Sequence, residues 1–203
     1  MNVRSLRKHH QDVTKDVAIL KADVISFCET WLEISDDGND LDIENYHKIF
    51  SNHGCGKGVA VYEKRGDVLQ TKSTEKFQLV ATVVSNPLPS IQQLCVITVY
   101  LSIGFQLQLV IKELKEIFFK YRHDDIILLG DFNFDALECT APLYKWLKES
   151  KFHQLVKEPT HIDGGALDQV YVSSSIFNMT KYQIHALYFS DHDAVCVTMK
   201  NLK

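Results

Sequence analysis

The order of apolar and polar residues along the chain predicts a mixture of strands and helices. Apolar runs typical of buried strands lie at 23–32, 59–62, 78–85, 94–101, 126–131, 167–172 and 194–199. Apolar positions at helical spacing predict helices at 7–20 and at 107–118, and a third helix after Thr140 and Pro142. The helix at 107–118 is the clearest element, because its apolar stripe faces away from Lys112, Glu113, Lys115 and Glu116.

One predicted strand ends in a group of residues suited to chemistry. The apolar run from Ile126 leads to Gly130, and Asp131 and Asn133 follow at once. Gly130 allows a turn or a close approach that a side chain would hinder. Two residues apart in an extended chain, Asp131 and Asn133 point the same way and can hold a water molecule and a phosphate oxygen. An isolated sequence of this kind is more often a strand end with an Asx turn, so its companions decide the interpretation.

Polar residues recur at the ends of the other predicted strands. They are Asn2, Glu29, Tyr100, Asp131, Asn133, Asp168, Asp191 and His192. Strand ends that cluster on one side of a sheet are where active sites form. So many carboxylates suit a hard divalent cation such as Mg²⁺ or Mn²⁺. No two histidines lie at the spacing of zinc ligands, which disfavours a zinc site, and the other eight histidines are predicted to have no role in the chemistry.

Composition narrows the class of protein. The chain has 203 residues, of which 45% are hydrophobic, so we expect residues 1–203 to form a single domain with a full core. The net charge of −4 gives no overall basic field for nucleic acid. Five cysteines without a C-x-x-C pair, no run long enough to span a membrane and no signal peptide predict an intracellular protein. The segment from Gly54 to Gly58 is not a phosphate-binding loop, because a predicted strand rather than a helix follows it.

Taken together, these segments resemble the endonuclease/exonuclease/phosphatase superfamily. The resemblance rests on N-V-R-S-L at 2–6, C-E-T-W-L at 28–32, G-V-A-V-Y at 58–62, T-V-Y at 98–100, G-D-F-N at 130–133, L-D at 167–168 and S-D-H at 190–192. The phrases E-T-W-L, L-L-G-D-F-N, P-T-H-x-x-G-G-x-L-D and S-D-H-D-A-V look most like the apurinic-type endonuclease domains of non-LTR retrotransposons and related mobile elements. The resemblance implies a four-layer α/β sandwich of two packed mixed β-sheets flanked by helices. It also implies Mg²⁺-dependent cleavage of DNA phosphodiesters, and hence a nuclear location.

The resemblance also assigns roles to the residues at the strand ends. Glu29 matches the main metal ligand, with Asn2 beside it and Asp191 near the metal. Asp131 would orient or deprotonate the attacking water, and Asn133 would steady that water and the phosphate. His192, paired with Asp168, and Tyr100 match residues that contact the phosphate.

The chain departs from the family pattern at three places. Only Met1 precedes Asn2, so the domain looks short at its N-terminus and we expect Asn2 to lie on a frayed end. Arg4 stands where the apurinic-repair branch has an acid, and 101–104 replace a basic, proline-rich segment. These departures leave two alternatives to a DNA-nicking enzyme: a phosphatase of the same fold, or a decayed binding module without activity. Asp135 argues against an inositol phosphatase, which typically has a basic residue at this position.

Overall fold

The fold was analysed in a computed structural model that describes residues 1–54, 56–64 and 66–201. Cys55, within the predicted turn at 54–58, lies outside the described residues. The strands are β1 (Val24–Cys28), β2 (His47–Ser51), β3 (Val59–Glu63), β4 (Gly66–Thr74), β5 (Phe77–Leu88), β6 (Ile91–Leu101), β7 (Asp125–Asp131), β8 (Phe152–Gln154), β9 (Asp168–Ser173), β10 (Thr180–His185) and β11 (Ala194–Met199). The helices are α1 (Leu6–Lys15), α2 (Val17–Leu20), α3 (Leu107–Lys120) and α4 (Pro142–Glu149).

The strands form a large sheet and two smaller ones. The large sheet has six strands in the order β4-β5-β6-β7-β9-β8, and it is mixed because β6 and β7 are parallel while the other neighbours are antiparallel. Strands β1, β3 and β2 form an antiparallel sheet, and β10 and β11 form a hairpin. Every predicted strand is therefore present, although β1 is shorter than the predicted range.

Alternating side chains along the strands join these sheets into four layers. In β5 and β6, residues such as Leu79 and Ile97 pack against α3 and α4. The opposite face of the large sheet packs against β3 at one end, where Val80 and Val61 share a buried cluster. At its other end the same face packs against the β10–β11 hairpin. The far side of the small sheet packs against α1, where Leu6 meets Tyr62. The predicted four-layer sandwich is confirmed, because the sheets pack face to face and helices cover their outer faces.

The N-terminal helical segment differs from its prediction because Asp16 divides it. Asp16 ends α1 and caps α2, with its Oδ1 accepting hydrogen bonds from the backbone N–H groups of Ala18 and Ile19 at 2.8 and 3.2 Å. A side chain that binds the backbone in this way competes with a continuous helix. Helices α3 and α4 agree with their predictions, except that Ala141 rather than Thr140 stands at the N-cap of α4. Among the described helices, none has the length and apolar character to cross a membrane.

The first residues of the chain are held more firmly than their position suggests. Cys28 N–H donates to the carbonyl of Met1 at 2.9 Å, and Val3 N–H donates to the carbonyl of Cys28 at 3.0 Å. These bonds make a parallel bridge between Asn2 and Cys28, at the end of β1. The expectation of a frayed end was wrong, because β1 supplies the backbone partners that a longer first strand would otherwise need.

Gly130 permits the close approach of two central strands, and we predict that replacing it destabilises the fold. Its φ is +142°, and a Cβ atom there would overlap the backbone carbonyl of Val99 on β6. We expect Gly130→Ala to lower the free energy of unfolding by roughly 3 kcal/mol. The matched control is Gly104→Ala, where φ is +75° and no atom of the described residues lies within 4 Å of the added atom, so the loss is about 1 kcal/mol. Urea denaturation measures both, and equal losses would contradict this account.

Candidate active site

The register of the large sheet aligns three of the predicted site residues. Tyr100 on β6 stands beside Asp131 on β7, and Asp131 stands beside Asp168 on β9. Asp131 and Asp168 are almost entirely buried, and Tyr100 is 6% exposed. The polar residues at these strand ends are therefore neighbours, as the sequence predicted.

Asn2 lies at the centre of the site. It is fully buried, and its amide Nδ2 donates to Oε1 of Glu29 at 2.8 Å and to Oδ2 of Asp131 at 2.9 Å. Its Oδ1 accepts from the backbone N–H of Arg4 at 3.1 Å. One amide thus joins two acidic side chains that lie far apart in the sequence. It can do so because an NH₂ group has two hydrogens to donate.

The pKa of the Asp131 carboxyl group is raised far above its ordinary value. Burial, and then the negative charge of Asp168, raise the pKa of Asp131 to about 7, while His192, Asn133 and Asn2 act in the opposite direction. A carboxyl group with a pKa near neutrality can accept a proton and release it again. This is the property required of a group that deprotonates water.

Asp168 and His192 form a buried pair. Nδ1 of His192 lies 2.7 Å from Oδ2 of Asp168, and both side chains are more than nine-tenths buried. Burial alone would lower the pKa of His192, but the hydrogen bond to Asp168 and the charges of Asp168, Asp131 and Asp191 outweigh it and raise that pKa. Asp168 therefore fixes the orientation of the ring and favours its protonated form.

Glu29 follows β1 at a backbone φ of +53° and is half-buried. Its Oε1 accepts from Asn2 and, at 3.4 Å, from the hydroxyl of Tyr100. Its Oε2 accepts from Nε1 of Trp31 at 3.2 Å. The predicted site residues Glu29 and Tyr100 are therefore in contact, and Trp31 is a partner that the sequence did not suggest as part of the site.

Asn133 makes backbone contacts that hold the loop after β7. Its N–H donates to Oδ1 of Asp131 at 3.0 Å, and its Nδ2 donates to the carbonyl of Leu101 at 2.8 Å. The first bond is the Asx turn that the sequence suggested as the ordinary interpretation. Asn133 lies beside Asp131 as predicted, with its amide nitrogen engaged by the end of β6.

The loop before β11 connects Asp191 to two further residues. Asp191 forms an ion pair with Arg4, and its Oδ2 lies 3.6 Å from Nε2 of His161. Ser190 holds this loop in place, because its hydroxyl donates to the carbonyl of Asn2 at 2.8 Å and accepts from the N–H of His192 at 3.1 Å. The prediction that His161 has no role in the chemistry stays a prediction, but the structure places its ring beside Asp191 and His192. The P-T-H phrase at 159–161 was the signal for it.

The donor atoms of the site fit a divalent cation. The half-buried carboxylate of Glu29 and the carboxylate of Asp191, whose buried Oδ1 has no hydrogen-bond partner among the described residues, are oxygen ligands of the kind that hard cations prefer. Asn2 presents nitrogen rather than oxygen to Glu29, so in this arrangement it orients that carboxylate. Direct ligation by Asn2 stays a prediction, and it would require the amide to turn over.

Comparison with solved structures places the fold among nucleases and related hydrolases. The 3′ phosphatase NExo from Neisseria, bound to a product DNA hairpin, is similar at a TM-score of 0.72 and 18% identity, over 98% of this chain and 97% of that one. An AP endonuclease from Archaeoglobus fulgidus matches at 0.71 and 17% identity, over 98% and 97% of the two chains. The endonuclease domain of TRAS1, a telomere-specific non-LTR retrotransposon, matches at 0.72 and 15% identity, over 98% and 95%.

Sequence comparison identifies the family. No curated protein sequence matches the chain. Residues 94–196, about half of the chain, match the family described as Endonuclease-reverse transcriptase. This region contains Tyr100, Asp131, Asp168 and His192. The chain therefore belongs to the Endonuclease-reverse transcriptase family, within the endonuclease/exonuclease/phosphatase superfamily.

Proposed function

We propose that this chain is a divalent-cation-dependent endonuclease of mobile-element origin that cuts one strand of DNA. The observation that carries the proposal is the buried amide of Asn2, which donates to Glu29 and Asp131 and lies 3.5 Å from Nε2 of His192. The match to the Endonuclease-reverse transcriptase family and the fold shared with the TRAS1 domain support the mobile-element origin and DNA as the substrate.

Each residue of the site has a role in displacement at phosphorus. Asp131 orients the attacking water and accepts its proton, because burial and Asp168 raise its pKa to about 7. His192, held by Asp168, donates a hydrogen bond from Nε2 to a phosphate oxygen as negative charge grows there. The Tyr100 hydroxyl lies at the same edge of the sheet, and its one hydrogen, shared between the Gly56 carbonyl at 3.1 Å and Oε1 of Glu29 at 3.4 Å, can turn to a phosphate oxygen that binds there.

Glu29 is the residue that we propose to hold Mg²⁺ or Mn²⁺. Such a cation, when bound, neutralises charge on the phosphate oxygens. Asn2, Trp31 and Tyr100 fix the two oxygens of Glu29 by hydrogen bonds, so the carboxylate is oriented before a ligand arrives. Because the carboxylate of Glu29 is already oriented, no free energy is needed to reorient it during the reaction.

The site argues against a decayed binding module and against one branch of the phosphatases, the inositol phosphatases. A decayed binding module would have no reason to keep two buried carboxylates and a paired histidine in place, since their burial costs free energy. An inositol phosphatase would need a basic residue at position 135. Asp135 instead caps the turn at Ala136–Glu138, its Oδ1 accepting from the N–H groups of Leu137 and Ala166 at 2.9 and 3.0 Å.

The first prediction concerns Glu29. In a nicking assay with supercoiled plasmid and Mg²⁺, we expect Glu29→Gln to reduce the rate by at least about 100-fold, because the main cation ligand is lost. EDTA should abolish the activity of the native chain. Glu33→Gln is the matched control, since Glu33 is an exposed carboxylate close in sequence. Full activity of Glu29→Gln would contradict the assignment, and nicking in EDTA would contradict cation dependence.

The second prediction concerns the pair formed by His192 and Asp168. We expect His192→Ala to lose at least about 2 kcal/mol of transition-state stabilisation, because the donor to the phosphate is removed. Asp168→Asn should act through the same ring, so the double variant should be little worse than His192→Ala alone. Rates of nicking for the two single variants and the double variant measure this coupling. Independent effects that multiply in the double variant would show that the residues do not act as a unit.

A further inference from the structure

Three side chains in the site could together hold a different kind of cation. His161, Asp191 and His192 each offer a ligand atom, and these atoms lie within 4.8 Å of one another. The rings of His161 and His192 meet edge to face with their centroids 4.6 Å apart, and their backbones form an antiparallel bridge. Two imidazoles and a carboxylate are typical ligands of Zn²⁺, whereas Mg²⁺ prefers oxygen alone.

The Nε2 atom of His192 is the ring nitrogen that Asp168 does not bind. Nδ1 of His192 is bonded to Asp168, so Nε2 is the nitrogen left to bind a metal, once it has released its proton. Nδ2 of Asn2 lies 3.5 Å from it, but that amide already donates its two hydrogens to Glu29 and Asp131. His192 is only 6% exposed, so water satisfies this atom poorly. A buried nitrogen with so long a contact is poorly satisfied, and a bound ion would satisfy it.

Asp191 and His161 complete the set. Oδ1 of Asp191 is buried without a hydrogen-bond partner among the described residues, and Oδ2 lies 3.6 Å from Nε2 of His161. Nδ1 of His161 accepts a hydrogen bond from the backbone N–H of Asp163 at 3.2 Å, so the proton of the neutral ring lies on Nε2, facing Asp191. A metal binds Nε2 when this proton moves to Nδ1, where the carboxylate of Asp163, 3.5 Å away, replaces the backbone N–H as its partner. In the free protein the guanidinium of Arg4 forms an ion pair with the carboxylate of Asp191. The Arg4 side chain is 51% exposed, so it can move away into solvent.

We propose that His161, Asp191 and His192 form a Zn²⁺ site, and that its occupation blocks the endonuclease. The bond between Asp168 and His192 supplies the outer carboxylate that commonly orients a zinc-binding histidine. Ligand atoms around a tetrahedral Zn²⁺ lie about 3.3 Å apart, so the loops carrying His161 and Asp191 close by roughly 1 Å on binding. The fourth position is left for water or for a phosphate oxygen.

The blocking effect follows from the shared histidine and rests on the proposed function. A Zn²⁺ ion on Nε2 of His192 takes the place of the proton that would face the phosphate. Binding also displaces Arg4 from Asp191, so the cation and the guanidinium compete for one carboxylate. Zinc binding itself does not depend on any nuclease activity, which allows the two claims to be tested separately.

The binding claim is tested with the metal-free full chain, by titrating Zn²⁺ against a chromogenic chelator. We expect one Zn²⁺ per native chain, and an affinity at least about tenfold lower in His161→Ala. His161→Phe should weaken binding as strongly, although it keeps a ring against His192. The matched control is His123→Phe, a substitution of an exposed histidine in the turn before β7, which should bind as the native chain does. Native affinity in His161→Phe would overturn the site.

Two further measurements test the competition and the block. Arg4→Ala should raise the Zn²⁺ affinity, because the competing guanidinium is gone, and an unchanged or lower affinity would overturn the displacement. One equivalent of Zn²⁺ should slow Mg²⁺-driven nicking by the native chain and leave His161→Phe active. Equal inhibition of both would overturn the block. If the native chain does not nick DNA at all, the proposed function fails while the binding titration still decides the zinc site.

Discussion

The two hydrogens of the Asn2 side-chain amide are the constraint on which the rest of the site depends. They are donated to Glu29 and Asp131, two carboxylates that would otherwise repel each other in a buried space. Because Asn2 is fully buried, these bonds are not weakened by exchange with water. The same amide leaves no hydrogen for His192, whose Nε2 is therefore available to a phosphate or to a cation. A single side chain thus sets the orientation of the acids and the state of the histidine.

The large sheet supplies the second constraint, which is register. The side chains of Tyr100, Asp131 and Asp168 are neighbours because β6, β7 and β9 pair in one alignment, and a shift by one residue would turn each of them to the opposite face. Gly130 makes this alignment feasible, since its missing side chain lets β7 approach the Val99 carbonyl. The chemistry at the strand ends therefore depends on packing in the middle of the sheet.

The sequence predicted the central strands and most of the site, and it failed where the local pattern was weak. Strands such as β6 and β7 are buried on both faces and appear as apolar runs, whereas β2, β4, β8 and β10 lie at sheet edges and were not predicted. Polar strand ends identified Glu29 and Asp131, which directly follow an apolar run, and His192, which lies just before one. His161 was missed, since only the backbone bridge to His192 brings it into the site. A search for histidines at the spacing of zinc ligands could not find His161 and His192, because the fold rather than the sequence brings them together.

The central claim, that the Asn2 amide organises the site through its two hydrogens, is tested most directly by replacing it with a carboxylate of the same shape. Asn2→Asp keeps the volume but cannot donate to Glu29 and Asp131, and it adds a third negative charge to the buried group. At saturating Mg²⁺ we expect the rate of plasmid nicking to fall by at least about 100-fold, while the circular dichroism spectrum stays native. A native rate in Asn2→Asp would contradict the account.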